Sequence, residues 1–231
     1  TTHYFKKSGS VYYDEDGLGL EIVVNSDGSY TMSDAMDNKW FFTSLGGSYS
    51  GCYLTASEDN NGNRYEMTYS SGKLTSIRQK NKNKSAITVA TLTYSGNQVE
   101  RITDAHGNHQ KFTYSSGKLA SISHNGTVVA QYGYSGNRLT SLKDVQRNYA
   151  LELAYYASNT EADGEKAGRI KYYQEKGGGT VGIRCDIHYY GITQTVYHDY
   201  GNNRVTGTPG SAAQKDDLYS NYMFDYAGRT V

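Results

Sequence analysis

The stretch TYSSGKLTSI at residues 68–77 decides the fold, because it recurs almost unchanged as TYSSGKLASI at residues 113–122. Two looser copies are YSGNQVERI at 94–102 and YSGNRLTSL at 134–142. In every copy a tyrosine precedes an aliphatic residue by five positions, and a second aliphatic residue follows three positions later. Self-similarity of this kind indicates a repeat architecture, in which each copy is one supersecondary unit.

A second signature, Asp-x-x-Gly-Asn, begins ten residues before two of these tyrosines, at Asp59 and Asp104, with weaker echoes at Asp34 and Asp144. The carboxylate of such an aspartate opens a turn by bonding nearby backbone, and glycine then takes the positive φ that other residues resist. In the third interval Asn125-Gly126, a strong hairpin signal, replaces the Asp turn. Each repeat is therefore predicted to be a strand, an Asp turn, a strand and a Ser-Gly turn.

The residues that define the repeat are the leading tyrosines, the turn aspartates and glycines, and the aliphatic positions. They are Asp59, Gly62, Tyr69, Gly72, Leu74, Ile77, Tyr94, Asp104, Gly107, Tyr114, Gly117, Leu119, Tyr134 and Leu139. The tyrosines are spaced by 25, 20 and 20 residues, which is one hairpin per repeat. Leu119 and Ile122 have opposite strand parity, so either a β-bulge separates them or both faces of the sheet are partly covered.

We therefore predict an all-β fold of antiparallel β-hairpin repeats that form a curved sheet strip or a partial β-shell. The alternative is a β-propeller, whose four-stranded blades require a period of about 40 residues to dominate over the shorter one. Three segments are expected: a β-rich lead-in of four or five strands at 1–58, hairpin repeats at 59–156, and degenerate repeats with inserted loops at 157–231, which end within a repeat. Exposed sheet edges predict edge-to-edge self-association.

Composition narrows the possible partners and compartments. The chain has 24 Tyr and 26 Gly but one Pro, and its 23 basic and 23 acidic residues cancel, so no global field attracts nucleic acid. No apolar stretch is long enough to insert into a membrane. The first residues lack a signal-peptide pattern, so we expect either a cytoplasmic protein or a piece of a longer chain. Cys52 and Cys185 either form one long-range disulfide or remain free thiols.

These motifs resemble the YD, or RHS, repeats of bacterial surface and toxin proteins, which are related to those of teneurins. The elements at 59–77 and 104–142 carry the resemblance, and FDYAGR at 224–229 repeats it. The segments DEDGLGL at 14–20 and GCYL at 51–54 look like the lead-in of Gram-positive wall-associated proteins. Several copies lack an Asp directly after the tyrosine, and residues 157–215 match poorly.

The resemblance implies a secreted or cell-wall-attached protein of Gram-positive type, whose strands form a strip or a hollow shell. In some relatives such a shell encloses a toxic C-terminal domain. We therefore expect a non-catalytic extracellular scaffold that encloses or displays another domain of its own polypeptide, with no cofactor and no metal. The alternative is a recognition module that binds glycans or cell-surface proteins of a host through exposed tyrosines.

The doubled tyrosines are the predicted ligand-binding residues, because strand alternation sends one ring of each pair to each face. They are Tyr155, Tyr156, Tyr172, Tyr173, Tyr189 and Tyr190.

Other constellations have simpler interpretations. His106 and His109 lack a third metal ligand nearby in sequence, and the Asp turns lack the alternating oxygen ligands of a calcium loop. The glycines at 177–179 lack the lysine of a phosphate loop. Cys185 and His188 are three apart, which on a strand places them on opposite faces and argues against a catalytic dyad.

Overall fold

The computed structural model describes residues 3–47, 51–157, 167–177, 180–191, 193–199, 218–225 and 229–231. The chain divides into two compact units, Thr1–Lys111 and Phe112–Val231, which are described separately. Within the described ranges the regular secondary structure is all β. A helix long and apolar enough to cross a membrane is not present in these ranges.

The first unit is an antiparallel meander in which each strand from β1 to β10 pairs with the next along the chain. Its strands are β1 (Phe5–Ser8), β2 (Val11–Asp14), β3 (Glu21–Val24), β4 (Tyr30–Ser33), β5 (Lys39–Ser44), β6 (Cys52–Glu58), β7 (Arg64–Ser70), β8 (Lys73–Lys80), β9 (Ile87–Ser95) and β10 (Gln98–Asp104). β11 (His109–Ser115) begins here and pairs with β10 through its first residues. Six strands precede residue 59, rather than the four or five predicted, because a turn at Gly9 splits off β1.

The second unit continues the same pattern from β12 to β19. Its strands are β12 (Lys118–His124), β13 (Thr127–Ser135), β14 (Arg138–Asp144), β15 (Tyr149–Tyr155), β16 (Ile170–Gly177), β17 (Thr180–Tyr190), β18 (Gln194–Asp199) and β19 (Leu218–Met223). The predicted antiparallel all-β fold is confirmed. The propeller alternative fails, because blades would interrupt a pairing that runs on unbroken within each unit. The inserted loops predicted in 157–231 fall largely outside the described residues.

The Asp turns form as predicted, around the carboxylate. Asp59 Oδ1 accepts hydrogen bonds from the amides of Asn61 and Asn63, both at 2.9 Å, and Asp59 Oδ2 accepts one from Asn63 Nδ2 at 2.8 Å. Asp34 and Asp104 accept the equivalent three bonds. Asp144 differs, since it accepts from the amide of Arg147 instead.

A β-bulge resolves the parity problem in the repeats. Thr68 pairs with Ser76 while Tyr69 pairs with Leu74, so Thr75 is an extra residue in β8. Glu100 in β10 and Thr140 in β14 are extra residues at the same point of their repeats. The bulge lets both aliphatic residues of a copy face the same side as its tyrosine.

The tyrosine hydroxyls bond to these bulges. Tyr94 donates to the carbonyl of Leu74 at 2.8 Å, and Leu74 directly precedes the bulged Thr75. Tyr155 donates in the same way to Leu139 O at 2.7 Å. Tyr69 donates to Leu54 O at 2.9 Å, where Thr55 is the extra residue of β6. Because a bulge disrupts the ladder of backbone hydrogen bonds, a side-chain donor from a later strand satisfies the carbonyl that the bulge exposes.

The bulges sort the strand residues of each unit into one apolar and one polar face. The first unit's apolar face comprises Met67, Tyr69, Leu74, Ile77, Leu92, Tyr94, Val99 and Ile102, all of them half-buried. The second unit's apolar face includes Tyr134, Leu139, Leu142, Leu151, Leu153 and Tyr173. Among the described residues, the fully buried apolar side chains are Ala56, Tyr156, Cys185 and Ile187. Most of each apolar face is therefore only partly covered.

Candidate functional site: an aromatic cavity

Register brings side chains from four strands together on the apolar face of the second unit. Tyr173 in β16 pairs with Cys185 in β17, Cys185 pairs with Asp199 in β18, and Asp199 pairs with Leu218 in β19. Directly paired residues project to the same side of a sheet. Tyr197, two residues from Asp199, therefore projects to this side as well.

These strands enclose an open cavity of about 440 Å³. Its described lining is Tyr173, Cys185, Tyr197, Asp199, Leu218, Ser220, Tyr222 and Phe224. The rings of Tyr197 and Tyr222 meet edge to face, with 5.5 Å between their centroids and an interplanar angle of 86°. The volume is within the range of small-molecule sites, and aromatic rings with a few polar groups are a usual lining for such sites.

The polar groups of the cavity are one carboxylate and two neutral acids. Burial, a hydrogen bond to Cys185 and the negative charge of Asp199 raise the pKa of Tyr173 to about 12. Burial also raises the pKa of the Cys185 thiol, and the charges of Asp199 and Asp186 add to this against an opposing hydrogen bond from Tyr173. Both groups are therefore protonated at neutral pH. A buried protonated thiol is a poor nucleophile, so the cavity lacks the chemistry of cysteine catalysis.

The opposite face of these strands is polar and internally bonded. Arg184 Nε donates to Asp186 Oδ1 at 3.0 Å, and the guanidinium carbon lies 3.9 Å from the centroid of the Tyr172 ring. The buried His198 stacks on the exposed Tyr219, with 4.2 Å between ring centroids. His188 also faces this side, because it pairs with Val196. Cys185 and His188 thus lie on opposite faces, as predicted.

The doubled tyrosines are divided between faces in β16 and β17. Tyr173 and Tyr189 face the side of the cavity, while Tyr172 and Tyr190 face the polar side. Three of the four rings have close internal neighbours: Tyr172 and Tyr189 lie beneath the guanidinium groups of Arg184 and Arg169, and Tyr173 bonds to Cys185. Tyr190 is 42% exposed and keeps the most surface for a ligand.

Tyr155 and Tyr156 serve mainly to hold the sheet together. Tyr155 bonds to the bulge at Leu139 and lies 5.6 Å from the Arg138 guanidinium. Tyr156 is buried, donates to Ile187 O at 2.9 Å and meets Tyr189 edge to face. Ligand binding by the six doubled tyrosines stays a prediction, since only Tyr173 lines the cavity.

The remaining candidates lie apart from the cavity. The amide of His106 donates to Asp104 within its turn, and His109 begins β11. In the described part of the chain, no three His, Cys, Asp or Glu side chains cluster in a way that could hold a metal ion. The two cysteines are free thiols, Cys52 exposed and Cys185 buried. Of the glycines at 177–179, the last two lie outside the described residues.

Most of the cavity residues were missed by the sequence analysis. Asp199, Tyr197, Tyr222 and Phe224 are single residues in a region that matches the repeat poorly, and only the register of four strands brings them together. The alternation of Tyr197 with Asp199 and of Tyr222 with Ser220, each two apart on a strand, was the available signal.

The fold defined here is a YD/RHS-like repeat fold, and comparison with known proteins supports that class and no finer one. No protein-family model matches the chain, and no curated protein matches it. Solved structures do match, at low identity.

A crystal structure of TcdB2-TccC3 without its hypervariable C-terminal region is similar over 96% of this chain, with a TM-score of 0.54 and 12% identity. A structure of TcdB2-TccC3-Cdc42 is similar over 100% of the chain, with a TM-score of 0.53 and 12% identity. A third, of TcdB2-TccC3, covers 91% with a TM-score of 0.52 and 13% identity. The chain spans only 12%, 14% and 12% of these three chains, respectively. At such identity the likeness shows the fold alone.

Proposed function

We propose that this chain is a non-catalytic scaffold segment of a larger, secreted or cell-wall-attached RHS-type polypeptide, where its apolar face covers another domain of the same polypeptide. The observation that carries the proposal is the half-buried apolar face of the first unit. An antiparallel sheet ordinarily buries one face against a second layer, and domains are built from two or three packed layers. A face of eight apolar side chains without full cover therefore calls for a partner layer.

The repeat chemistry supports a scaffold. Asp turns, bulges and tyrosine hydroxyl bonds fix each hairpin on the preceding one through its own backbone. Such a sheet gains its order from local contacts and can be extended by further repeats, as in other repeat proteins. The short share of the matched chains that this chain spans fits a segment of a longer structure.

Hydroxyl-radical footprinting of two methionines tests the proposal. Met67 lies on the apolar face, whereas Met36 is 72% exposed in a turn. We expect Met67 to oxidise several-fold more slowly in the full-length polypeptide than in the isolated 231-residue chain, while Met36 oxidises equally in both. Equal rates for Met67 in the two samples would mean that nothing covers the face, and the scaffold proposal would be wrong.

A second candidate function, recognition of glycans or cell-surface proteins, is favoured by exposed tyrosines on the polar side. Tyr190 and Tyr219 are both exposed there, and tyrosine stacks on sugars at little conformational cost. Binding on a glycan array that is lost in Tyr190→Ala and kept in Tyr65→Ala would support this function. A blank array would leave the scaffold as the only candidate of the two.

A further inference from the structure

We propose that the cavity between β16 and β19 is a binding site for an organic ammonium cation, such as a quaternary ammonium head group. This inference goes beyond the scaffold proposal and does not depend on it. The cavity combines the two features that recognise such cations: several aromatic rings around one space, and a carboxylate in the lining.

The aromatic rings supply attraction that ordinary apolar walls do not. The π face of an aromatic ring is negative, so a cation above it is attracted most strongly where water is excluded. Tyr173, Tyr197, Tyr222 and Phe224 all line this cavity, and Tyr197 and Tyr222 stand almost at right angles to each other. Two perpendicular rings form adjoining walls, which suits a roughly spherical head group better than a flat one.

The charge distribution selects the sign of the ligand. Asp199 is the carboxylate of the described lining, and that lining contains no lysine, arginine or histidine. Its field reaches the bottom of the cavity, since it raises the pKa of both Tyr173 and Cys185. An anion would be repelled there, and a cation attracted. Tyr222 and Leu218 are exposed, so the cavity opens to solvent and a ligand can enter.

Choline and its uncharged isostere 3,3-dimethylbutan-1-ol test the proposal directly, because they share shape and differ in charge. Isothermal titration of the 231-residue chain is expected to give saturable, millimolar binding of choline, and about tenfold weaker binding of the isostere. An N-acetylated trimethyl-lysine amide, titrated in parallel, shows whether a protein side chain fits better than a free small molecule. Equal binding of choline and the isostere, or no saturable binding of any cation, would overturn the proposal.

Variants tie the binding to the cavity. Asp199→Asn and Tyr222→Ala are each expected to weaken choline binding about tenfold. Tyr219→Ala is the matched control, because Tyr219 lies on the same strand, projects to the opposite face and is just as exposed. If Tyr222→Ala disturbs the fold by circular dichroism, Tyr222→Leu keeps the apolar area and removes the ring. Unchanged binding in both cavity variants would place the cation elsewhere and refute the site.

Discussion

Replacing Tyr94 by phenylalanine removes one oxygen atom and leaves the carbonyl of Leu74 without its donor. The bond is 2.8 Å long and part-buried, at a point where the bulge has already disrupted the ladder. A net hydrogen bond contributes about 1 kcal/mol, and an unsatisfied buried carbonyl costs about 1–3 kcal/mol. Because Leu74 is only half-buried, we expect a loss of about 1 kcal/mol in the free energy of unfolding.

Urea unfolding followed by circular dichroism measures this loss, with Tyr65→Phe as the control. Tyr65 lies on the same face of β7, is 43% exposed, and its hydroxyl has no hydrogen bond within the described residues. For a unit of this size, about 1 kcal/mol lowers Tm by about 4 °C. Amide exchange near the bulged Thr75 is expected to quicken in Tyr94→Phe alone. If the two variants are equally stable, the hydroxyl bond does not stabilise the bulge and the reasoning fails.

Three further predictions concern other parts of the chain. Hydrogen bonds from Asn63 and from backbone amides lower the pKa of Asp59, as the equivalent bonds do at Asp104, so their stabilisation is present above the usual value of 3.8 and is lost as the pH falls through the lowered one; thermal melts should show this acid loss, and a variant with both aspartates changed to alanine should show less of it. Cys52 should react with a thiol reagent in the native protein and Cys185 only on unfolding, since it is buried and its pKa is raised; two fast thiols would contradict the structure. The exposed apolar β19 should promote self-association with rising concentration, and Met223→Lys should reduce it in sedimentation experiments, whereas a strict monomer would refute edge pairing.

The local chemistry of the repeats was predictable from sequence because it depends on neighbours along the chain. An aspartate that bonds amides two and four residues later, as Asp59 does, acts within one turn. The opposite parity of Leu119 and Ile122 pointed to a bulge or to two covered faces, and three other copies of the repeat contain the bulge.

The contacts between strands were not predictable in the same way. Nothing at Tyr94 indicates that its hydroxyl reaches a carbonyl 20 residues earlier, since that depends on the exact register of two hairpins. The cavity depends on register across four strands, and a shift of one residue in β18 would turn Tyr197 and Asp199 to the other face. The doubled tyrosines drew attention to the right strands, but Tyr156 is buried and Tyr155 is bonded to the backbone.

The hydroxyl bonds at the bulges have a direction. Tyr69, Tyr94 and Tyr155 all donate to a carbonyl nearer the N-terminus, never to one that follows. A newly made hairpin can thus fasten to backbone that has already emerged, and no hairpin has to wait for later sequence to complete its own fastening. The sheet can grow vectorially, one repeat at a time, in the order in which a ribosome or an export channel releases the chain.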